Sequence, residues 1–167
     1  MVKHTRPLLS FAAALLMASG LAGLSGMAAQ AAQKGSTRGD LTFEKTETVN
    51  NVRGKTKVVT RTIIGVSHTA DKGGPLDGTS VRCHMTLVIV EGSKSPAEGS
   101  GYCNGIGAAG DTWNMLLSGN ENGGSWTFVD GTGKFDDIKG MGTWKHQGAA
   151  RTGSESYLWQ GEWELKN

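Results

Sequence analysis

The feature that most constrains the fold is an alternation of apolar and polar residues, with a period of two, from Leu41 to the C-terminus. In the last such run, every second residue is aromatic or apolar except for one glycine: Tyr157, Trp159, Gly161, Trp163 and Leu165. Successive side chains of a strand point to opposite faces, so this pattern predicts strands with one buried face. No window carries the repeat of a long amphipathic helix.

Eight such runs, separated by clusters of Gly, Asn, Asp or Pro, predict eight short strands. They cover residues 41–49, 56–69, 81–91, 102–103, 111–118, 125–129, 140–147 and 155–166. Sequential antiparallel strands either leave two sheet edges exposed to aggregation or close on themselves. We therefore predict an all-β fold, a closed antiparallel eight-stranded barrel of mostly up-and-down topology.

Glycine recurs in the segment GSWTFVDGTGKFDDIKGMGTWK, residues 124–145, and this favours closure. Glycine is costly inside helices and ordinary strands, but strands use it to bend at barrel corners. We expect Gly131 and Gly133 to turn the chain, while Phe135 and Ile138 plug one end of the barrel.

The first 31 residues have the layout of a secretory signal peptide. Lys3 and Arg6 form a basic start, residues 8–27 carry no charge, and Ala29 and Ala31 stand at the positions that a signal peptidase reads. The alternative is a retained membrane anchor, but serine and glycine interrupt its core. We predict cleavage after Ala31.

The predicted export determines the expected domain boundaries and the net charge of the mature chain. We predict a signal peptide over residues 1–31, a flexible leader over 32–40 and a β-barrel domain over 41–167. The mature chain would have no membrane span and would be periplasmic or extracellular. The whole chain has 17 Lys and Arg against 15 Asp and Glu, so loss of Lys3 and Arg6 leaves 15 of each. A nucleic-acid binder usually keeps a basic surplus, so we expect no nucleic-acid partner.

The two cysteines of an exported chain favour a disulfide. A hairpin across the loop after residue 91 would bring Cys83 close to Cys103. The alternative is a copper site that starts from the sequence CHM, residues 83–85. Neighbouring strand residues face opposite ways, so Cys83 and His84 would not both reach one metal ion. We predict the disulfide and no metal site.

The run GTGKFDDIKGMGTW, residues 131–144, resembles the Gly-x-Gly-x-Phe, Ile or Val, Gly-x-Gly signature of the allene oxide cyclase-like and dirigent-like (calycin-like) barrels. The late YLWQGEW strand is also similar to that of exported bacterial members. The resemblance implies an eight-stranded barrel, often trimeric, with a cavity for a hydrophobic small molecule, so a homo-oligomer is one of the partners it implies. The plant cyclases close a ring in an unstable epoxide, mainly by steering its conformation. The matched signature is structural, and no catalytic residue carries over.

All five tryptophans lie in the last 55 residues. Trp159 and Trp163 share a face with Gly161 between them, so they would form a pocket wall in which the gap at Gly161 admits a ligand. The alternative is that the rings simply fill the barrel. The predicted ligand-binding residues are Trp126, Trp144, Tyr157, Trp159 and Trp163.

The histidines and adjacent acids do not assemble into a recognisable catalytic or metal motif. A catalytic triad needs a histidine beside a nucleophile, and the mature chain has no Gly-x-Ser-x-Gly elbow. We interpret His68, His84 and His146 as surface or polar strand residues. Asp136 and Asp137 are adjacent and are expected in a turn.

Among the other acids, Glu162 and Glu164 lie opposite the tryptophans and are expected in solvent. An inverted register would turn them inward as catalytic candidates. Asp111, after the glycine-rich NGIGAAGD, is the single acid that we would mutate first.

These observations favour a secreted barrel that binds a small apolar or aromatic molecule non-covalently and without a cofactor. Two alternatives stay open. One is a cyclase or isomerase that steers the conformation of such a ligand. The other is a structural or interaction protein with a filled barrel.

Overall fold

The computed structural model describes residues 33–52, 54–93, 97–149 and 154–166. The predicted signal peptide, residues 1–31, lies outside these ranges. Within them, no helix combines the length and the apolar character needed to cross a membrane.

Eight strands form a closed antiparallel barrel, which confirms the predicted fold class. Each strand pairs with the next one along the chain, and the last pairs with the first. The strands are β1 (Gln33–Asn51), β2 (Thr56–Thr69), β3 (Ser80–Val90), β4 (Glu98–Ile106), β5 (Thr112–Asn120), β6 (Gly123–Gly131), β7 (Lys139–Ala149) and β8 (Glu155–Leu165). A short 3₁₀ turn, Gly133–Phe135, follows β6 and opens at a φ of 61°, which favours glycine.

The first strand begins earlier than the sequence indicates. β1 starts at Gln33 and not at Leu41, so residues 33–40 pair with β8 and do not form a loose leader. The sequence pattern hides this segment because some of its inward positions are glycines. A Cβ atom at Gly35 would overlap the indole of Trp163, and one at Gly39 would overlap the backbone of β2. The close approach of other groups leaves no room there for the apolar side chains that usually mark a strand.

The interior holds the residues that the alternation places there. In β8, Tyr157, Trp159 and Trp163 are buried, whereas Glu162 is exposed. In β3, every second residue from Val81 to Leu87 is buried. The predicted inward direction of the C-terminal aromatic row is therefore confirmed.

One end of the barrel, which we call the capped end, is covered by its own chain. The cover consists of residues 70–79, which connect β2 to β3, and residues 132–138, which connect β6 to β7. Leu76 of the first connection is buried, and so are Phe135 and Ile138 of the second. Phe135 and Ile138 thus close this end, as the sequence predicted.

Three tryptophans fit inside the barrel because a neighbouring strand presents glycine beneath each ring. We call these glycines the indole seats. A Cβ atom at any of them would overlap an indole. The pairs are Trp113 over Gly105, Trp126 over Gly142 and Gly161, and Trp163 over Gly35. Protein interiors are packed to crystal-like density, so a large ring and a missing side chain must match across strands. Glycine here provides interior volume as well as bends.

The predicted disulfide joins the centres of two neighbouring strands. Cys83 of β3 and Cys103 of β4 are directly opposite in register, with Cα atoms 4.0 Å apart. His84 faces the other way and packs its ring 5.2 Å from that of Tyr102. The bond spans a sequence separation of 20 residues, and loop-closure entropy predicts a stabilisation of about 3 kcal/mol.

The indole seats predict the outcome of a glycine substitution. Gly105→Ala should lower the free energy of unfolding by about 1–3 kcal/mol because the new methyl group overpacks against Trp113. Trp113 is fully buried, and its indole N–H donates to the Pro75 carbonyl at 2.6 Å, so the ring has little freedom to move. Urea unfolding followed by far-UV circular dichroism measures the change.

Gly107→Ala is the matched control. A Cβ atom at Gly107 would lie 3.6 Å from the nearest atom, the Asp111 carbonyl oxygen, which is an ordinary contact. We expect an effect within about 0.5 kcal/mol, as for surface changes. Equal costs at Gly105 and Gly107 would contradict the indole-seat explanation.

Candidate functional site

The end of the barrel opposite the capped end carries charged side chains on its inner face, and we call it the charged end. Four strands that are adjacent in the closed barrel supply five such residues. They are Lys45 and Glu47 of β1, Arg61 of β2, His146 of β7 and Glu155 of β8. Their side chains are only partly accessible, from 14% exposed for Arg61 to 34% for Glu47. Charged groups turned toward an interior are costly unless they are paired.

Their inward direction follows from their spacing along the strands. Arg61 lies between Val59 and Ile63, which are both buried, and Glu155 is two residues before the buried Tyr157. Residues two apart on a strand share a face, so these charges continue the buried series.

The five residues form one continuous network. His146 Nε2 lies 3.1 Å from Glu155 Oε2, and Lys45 Nζ lies 2.5 Å from Glu155 Oε1. Lys45 also approaches Glu47 Oε1 at 3.6 Å, and Arg61 Nε donates to the same oxygen at 2.6 Å. The network therefore links β7, β8, β1 and β2 across the pairing of the first and last strands.

Ion pairing favours the charged forms of Glu155 and Arg61. Burial acts to raise the pKa of Glu155, but the hydrogen bond and charge of Lys45, together with His146, lower it below its ordinary value. Burial acts to lower the pKa of Arg61, and the hydrogen bond with Glu47 and neighbouring charges raise it instead. Both shifts favour the charged forms, the Glu155 carboxylate and the Arg61 guanidinium.

Tyr157 lies beneath this network and connects it to an aromatic layer. Its ring stacks on Phe43 at 4.6 Å and contacts Trp144 and His146 edge-on at 5.1 and 5.3 Å. Burial raises the pKa of Tyr157, while Arg61 acts in the opposite direction. The phenol therefore stays protonated at neutral pH and can both donate and accept a hydrogen bond.

The three tryptophans that lie over indole seats also have partners for their indole N–H groups. Trp113 donates to the Pro75 carbonyl at 2.6 Å, Trp126 to the Thr143 carbonyl at 3.1 Å and Trp163 to the Asp71 carboxylate at 2.8 Å. These rings are packed and hydrogen-bonded by the chain itself.

Trp144 and Trp159 are different. Both are at most 4% exposed, yet neither indole N–H has a hydrogen-bond partner among the described residues. The two residues are directly opposite on β7 and β8. The hydroxyl of Thr37, 3% exposed on the adjacent β1, also lacks a partner in this part of the chain. The Tyr157 hydroxyl and His146 Nε2 are likewise buried without a hydrogen-bond partner among the described residues. Buried polar groups in native proteins are rarely left unpaired, so five on neighbouring strands require an explanation.

The predicted ligand-binding residues separate into two groups. All are buried, but only Trp144, Tyr157 and Trp159 lie together beside the charged end. Trp126 packs against Phe128 at 5.2 Å and fills the space above Gly161. The expected ligand entrance at Gly161 is therefore wrong.

Trp163, the other predicted wall residue, lies away from this group. Its indole reaches Asp71 in the cover of the capped end.

The remaining sequence candidates lie apart from this site, with one exception. Asp111 accepts a hydrogen bond from the Lys134 backbone N–H at 3.2 Å and so orders the turn at the capped end. Glu162 is exposed, and Glu164 pairs with Lys34 at 3.1 Å.

His146 is the exception, because it faces inward and not toward the surface. His68 is exposed, and His84 Nδ1 lies 3.1 Å from the Thr62 hydroxyl on the outer face. Asp136 and Asp137 are exposed beside the 3₁₀ turn. Among the described residues, no group of three or more His, Cys, Asp or Glu is arranged to hold a metal ion.

Sequence reasoning missed Lys45, Glu47, Arg61 and Glu155 as site residues. A usable signal was present, since each stands two residues from an apolar or charged member of the inward series. Charge on a strand usually indicates solvent exposure, but here the inward series continues as charged residues toward this end of the barrel.

No family model matches the sequence, and a comparison with curated proteins finds no match. Among solved structures, the fold is similar to that of a pterocarpan synthase dirigent protein, with a TM-score of 0.50 and 15% identity over 92% of this chain and 100% of that one. Pyocyanin demethylase is also similar, with a TM-score of 0.46 and 10% identity over 77% of this chain and 99% of that one. At this identity the first likeness bears on the fold alone. The chain therefore has the fold of a dirigent-like β-barrel, as its glycine signature predicted.

Proposed function

We propose that this protein binds a small apolar or aromatic molecule non-covalently inside the charged end of its barrel. The observation that carries the proposal is the layer of Trp144, Tyr157 and Trp159 directly beneath a network of inward-facing charges. If the interior of the barrel only had to be filled, we would expect apolar side chains, and not charged ones, at the positions of the network. Aromatic walls with a few convergent polar groups and shifted pKa values are typical of small-molecule sites.

The opposite side of the charged end provides an apolar surface for such a ligand. Val59, Leu87 and Leu117, from β2, β3 and β5, are all at most 5% exposed. Ala97, just before β4, is also buried. A ligand with an aromatic body would thus contact aliphatic groups on one side and aromatic rings on the other.

The proposed setting is the periplasm or the exterior of the cell. The chain starts with the predicted signal peptide, and the disulfide between Cys83 and Cys103 is compatible with an oxidising compartment.

A second candidate is an isomerase or cyclase that acts on the same ligand. The proximity of His146 and Glu155, whose Nε2 and Oε2 atoms lie 3.1 Å apart, favours it because a nearby carboxylate stabilises the imidazolium that forms in proton transfer. Tyr157 would supply a neighbouring hydroxyl. Turnover of the bound molecule, lost in His146→Gln with binding retained, would distinguish catalysis from binding alone.

Binding is expected to depend on Tyr157. The neutral fluorescent probe N-phenyl-1-naphthylamine should bind the purified protein, brighten and quench tryptophan emission by energy transfer. Tyr157→Leu should weaken its affinity by about tenfold through loss of a central aromatic contact, equivalent to about 1.4 kcal/mol. A fluorescence titration gives the dissociation constant.

Tyr102→Leu is the matched control, since Tyr102 is 52% exposed on the outer face. Its effect should be under twofold, and thermal melts of both variants verify that they fold. If the probe fails to bind, or if both variants weaken binding equally, the ligand site is not where we propose and the filled-barrel alternative gains support.

The charged network predicts a pH dependence of stability. Because the pKa of Glu155 is lowered in the folded state, its stabilisation is present above the ordinary glutamate pKa of about 4.3 and is lost as pH falls through the lower folded value. Glu155→Gln should therefore destabilise the protein by about 1–3 kcal/mol at pH 7. The difference from the unmodified protein should shrink progressively below about pH 4.3.

Urea unfolding at pH 7, 5 and 3 checks this dependence. Glu162→Gln, at an exposed position on the outer face of the same strand, serves as the control and should show little difference at any of these pH values. A difference for Glu155→Gln that stays constant from pH 7 to 3 would rule out the network as its cause.

A further inference from the structure

We propose that the ligand is a neutral aromatic carbonyl compound whose oxygen accepts hydrogen bonds from the indole N–H groups of Trp144 and Trp159. This inference rests on the proposed binding function and specifies the ligand class. Its basis is the two unpaired indoles, which the proposed function does not itself need.

The contrast among the five tryptophans shows that this chain satisfies buried indoles where it can. Three have partners between 2.6 and 3.1 Å. Trp144 and Trp159 have none among the described residues. A buried donor without a partner is destabilising. Both unpaired indoles belong to one cross-strand pair beside the charged end.

The position of Thr37 adds a third group at the same level of the barrel. Thr37 of β1 lies opposite Gly161 of β8, two residues from Trp159, and on the inward face. Its hydroxyl also has no partner in the described part of the chain. Three adjacent strands thus present unsatisfied polar groups: β7 presents those of Trp144 and His146, β8 those of Tyr157 and Trp159, and β1 that of Thr37.

The chemistry of these groups determines what the ligand must offer. An indole N–H only donates, and a threonine hydroxyl either donates or accepts. The set contains two obligate donors, the indoles of Trp144 and Trp159, whereas the hydroxyls of Thr37 and Tyr157 and the ring nitrogen of His146 can each donate or accept. The complementary ligand group is therefore an acceptor with two lone pairs, such as a carbonyl oxygen.

Charge selects a neutral acceptor over a carboxylate. The two cations nearest the site already have anionic partners, since Lys45 pairs with Glu155 and Arg61 with Glu47. A carboxylate placed between two indoles would be buried without a counter-charge, which is costly. A ketone, quinone or lactone satisfies the donors without that cost, and its rings fit beside Tyr157.

Three probes of equal shape test this inference by isothermal titration of the purified, disulfide-bonded protein. They are 2-acetylnaphthalene, 2-ethylnaphthalene and 2-naphthoate. We expect the ketone to bind about tenfold more tightly than the hydrocarbon, because the ketone oxygen accepts hydrogen bonds from the buried donors and the hydrocarbon has no acceptor. The carboxylate should bind more weakly than the ketone.

Substitutions assign this preference to the indoles. Trp159→Phe and Trp144→Phe should each reduce the ketone-to-hydrocarbon affinity ratio to below about threefold, since each removes one donor and leaves an aromatic ring. The control Trp163→Phe removes an indole whose N–H is bound to Asp71 and should keep the tenfold ratio. Thr37→Val is a second, nearly isosteric variant, to be used if a tryptophan variant fails to fold. It should also lower the ketone-to-hydrocarbon affinity ratio.

The outcomes separate this inference from the function on which it rests. If none of the three probes binds, both are overturned. If the ketone and the hydrocarbon bind equally, or the ratio survives both tryptophan variants, the carbonyl assignment is overturned and the ligand site stands. If 2-naphthoate binds most tightly, the ligand is anionic and the neutral class is wrong.

Discussion

The structure depends on the match between indole rings and glycines across neighbouring strands. An eight-stranded barrel encloses just enough space for side chains to fill it, and this chain places five tryptophans there. Three of them fit because Gly35, Gly105, Gly142 and Gly161 have no side chains beneath the rings. This packing makes the capped end dense. It also explains why so much glycine coexists with so much aromatic area in one small domain.

The charged network bears on a different requirement, the pairing of the first and last strands of the barrel. The first and last strands must pair for the sheet to lose its edges. Glu155 of β8 contacts Lys45 of β1, and both connect to residues of the flanking strands. Partly buried ion pairs are weak evidence for stability, because desolvation offsets much of their attraction. Under the proposed function, these polar groups would also belong to a ligand site, and that would offset a cost that apolar residues at the same positions would not carry.

Local pattern was sufficient for the fold and insufficient for the site. Period two, turn residues and two cysteines in a chain predicted to be exported led to the barrel, the inward aromatic row and the disulfide. The start of β1 was missed because Gly35 and Gly39 stand at inward positions where apolar residues usually indicate a strand. The sequence alone also could not distinguish Trp126, whose indole N–H has a partner, from Trp159, whose indole N–H has none among the described residues. The difference depends on which neighbouring strand brings a glycine or a carbonyl group to each indole, and that is a property of register across the closed barrel.

The two ends of the barrel pose the same chemical requirement and meet it differently. At the capped end, indole donors are buried, and the cover supplies their acceptors: the Pro75 carbonyl for Trp113 and the Asp71 carboxylate for Trp163. At the charged end, Trp144 and Trp159 are equally buried, and the described chain offers them no acceptor. Because unpaired buried donors are destabilising, a molecule from outside the chain that supplied an acceptor would stabilise the barrel as it binds. Such a ligand would supply hydrogen-bond acceptors to buried indoles at the charged end, as residues 70–79 do at the capped end.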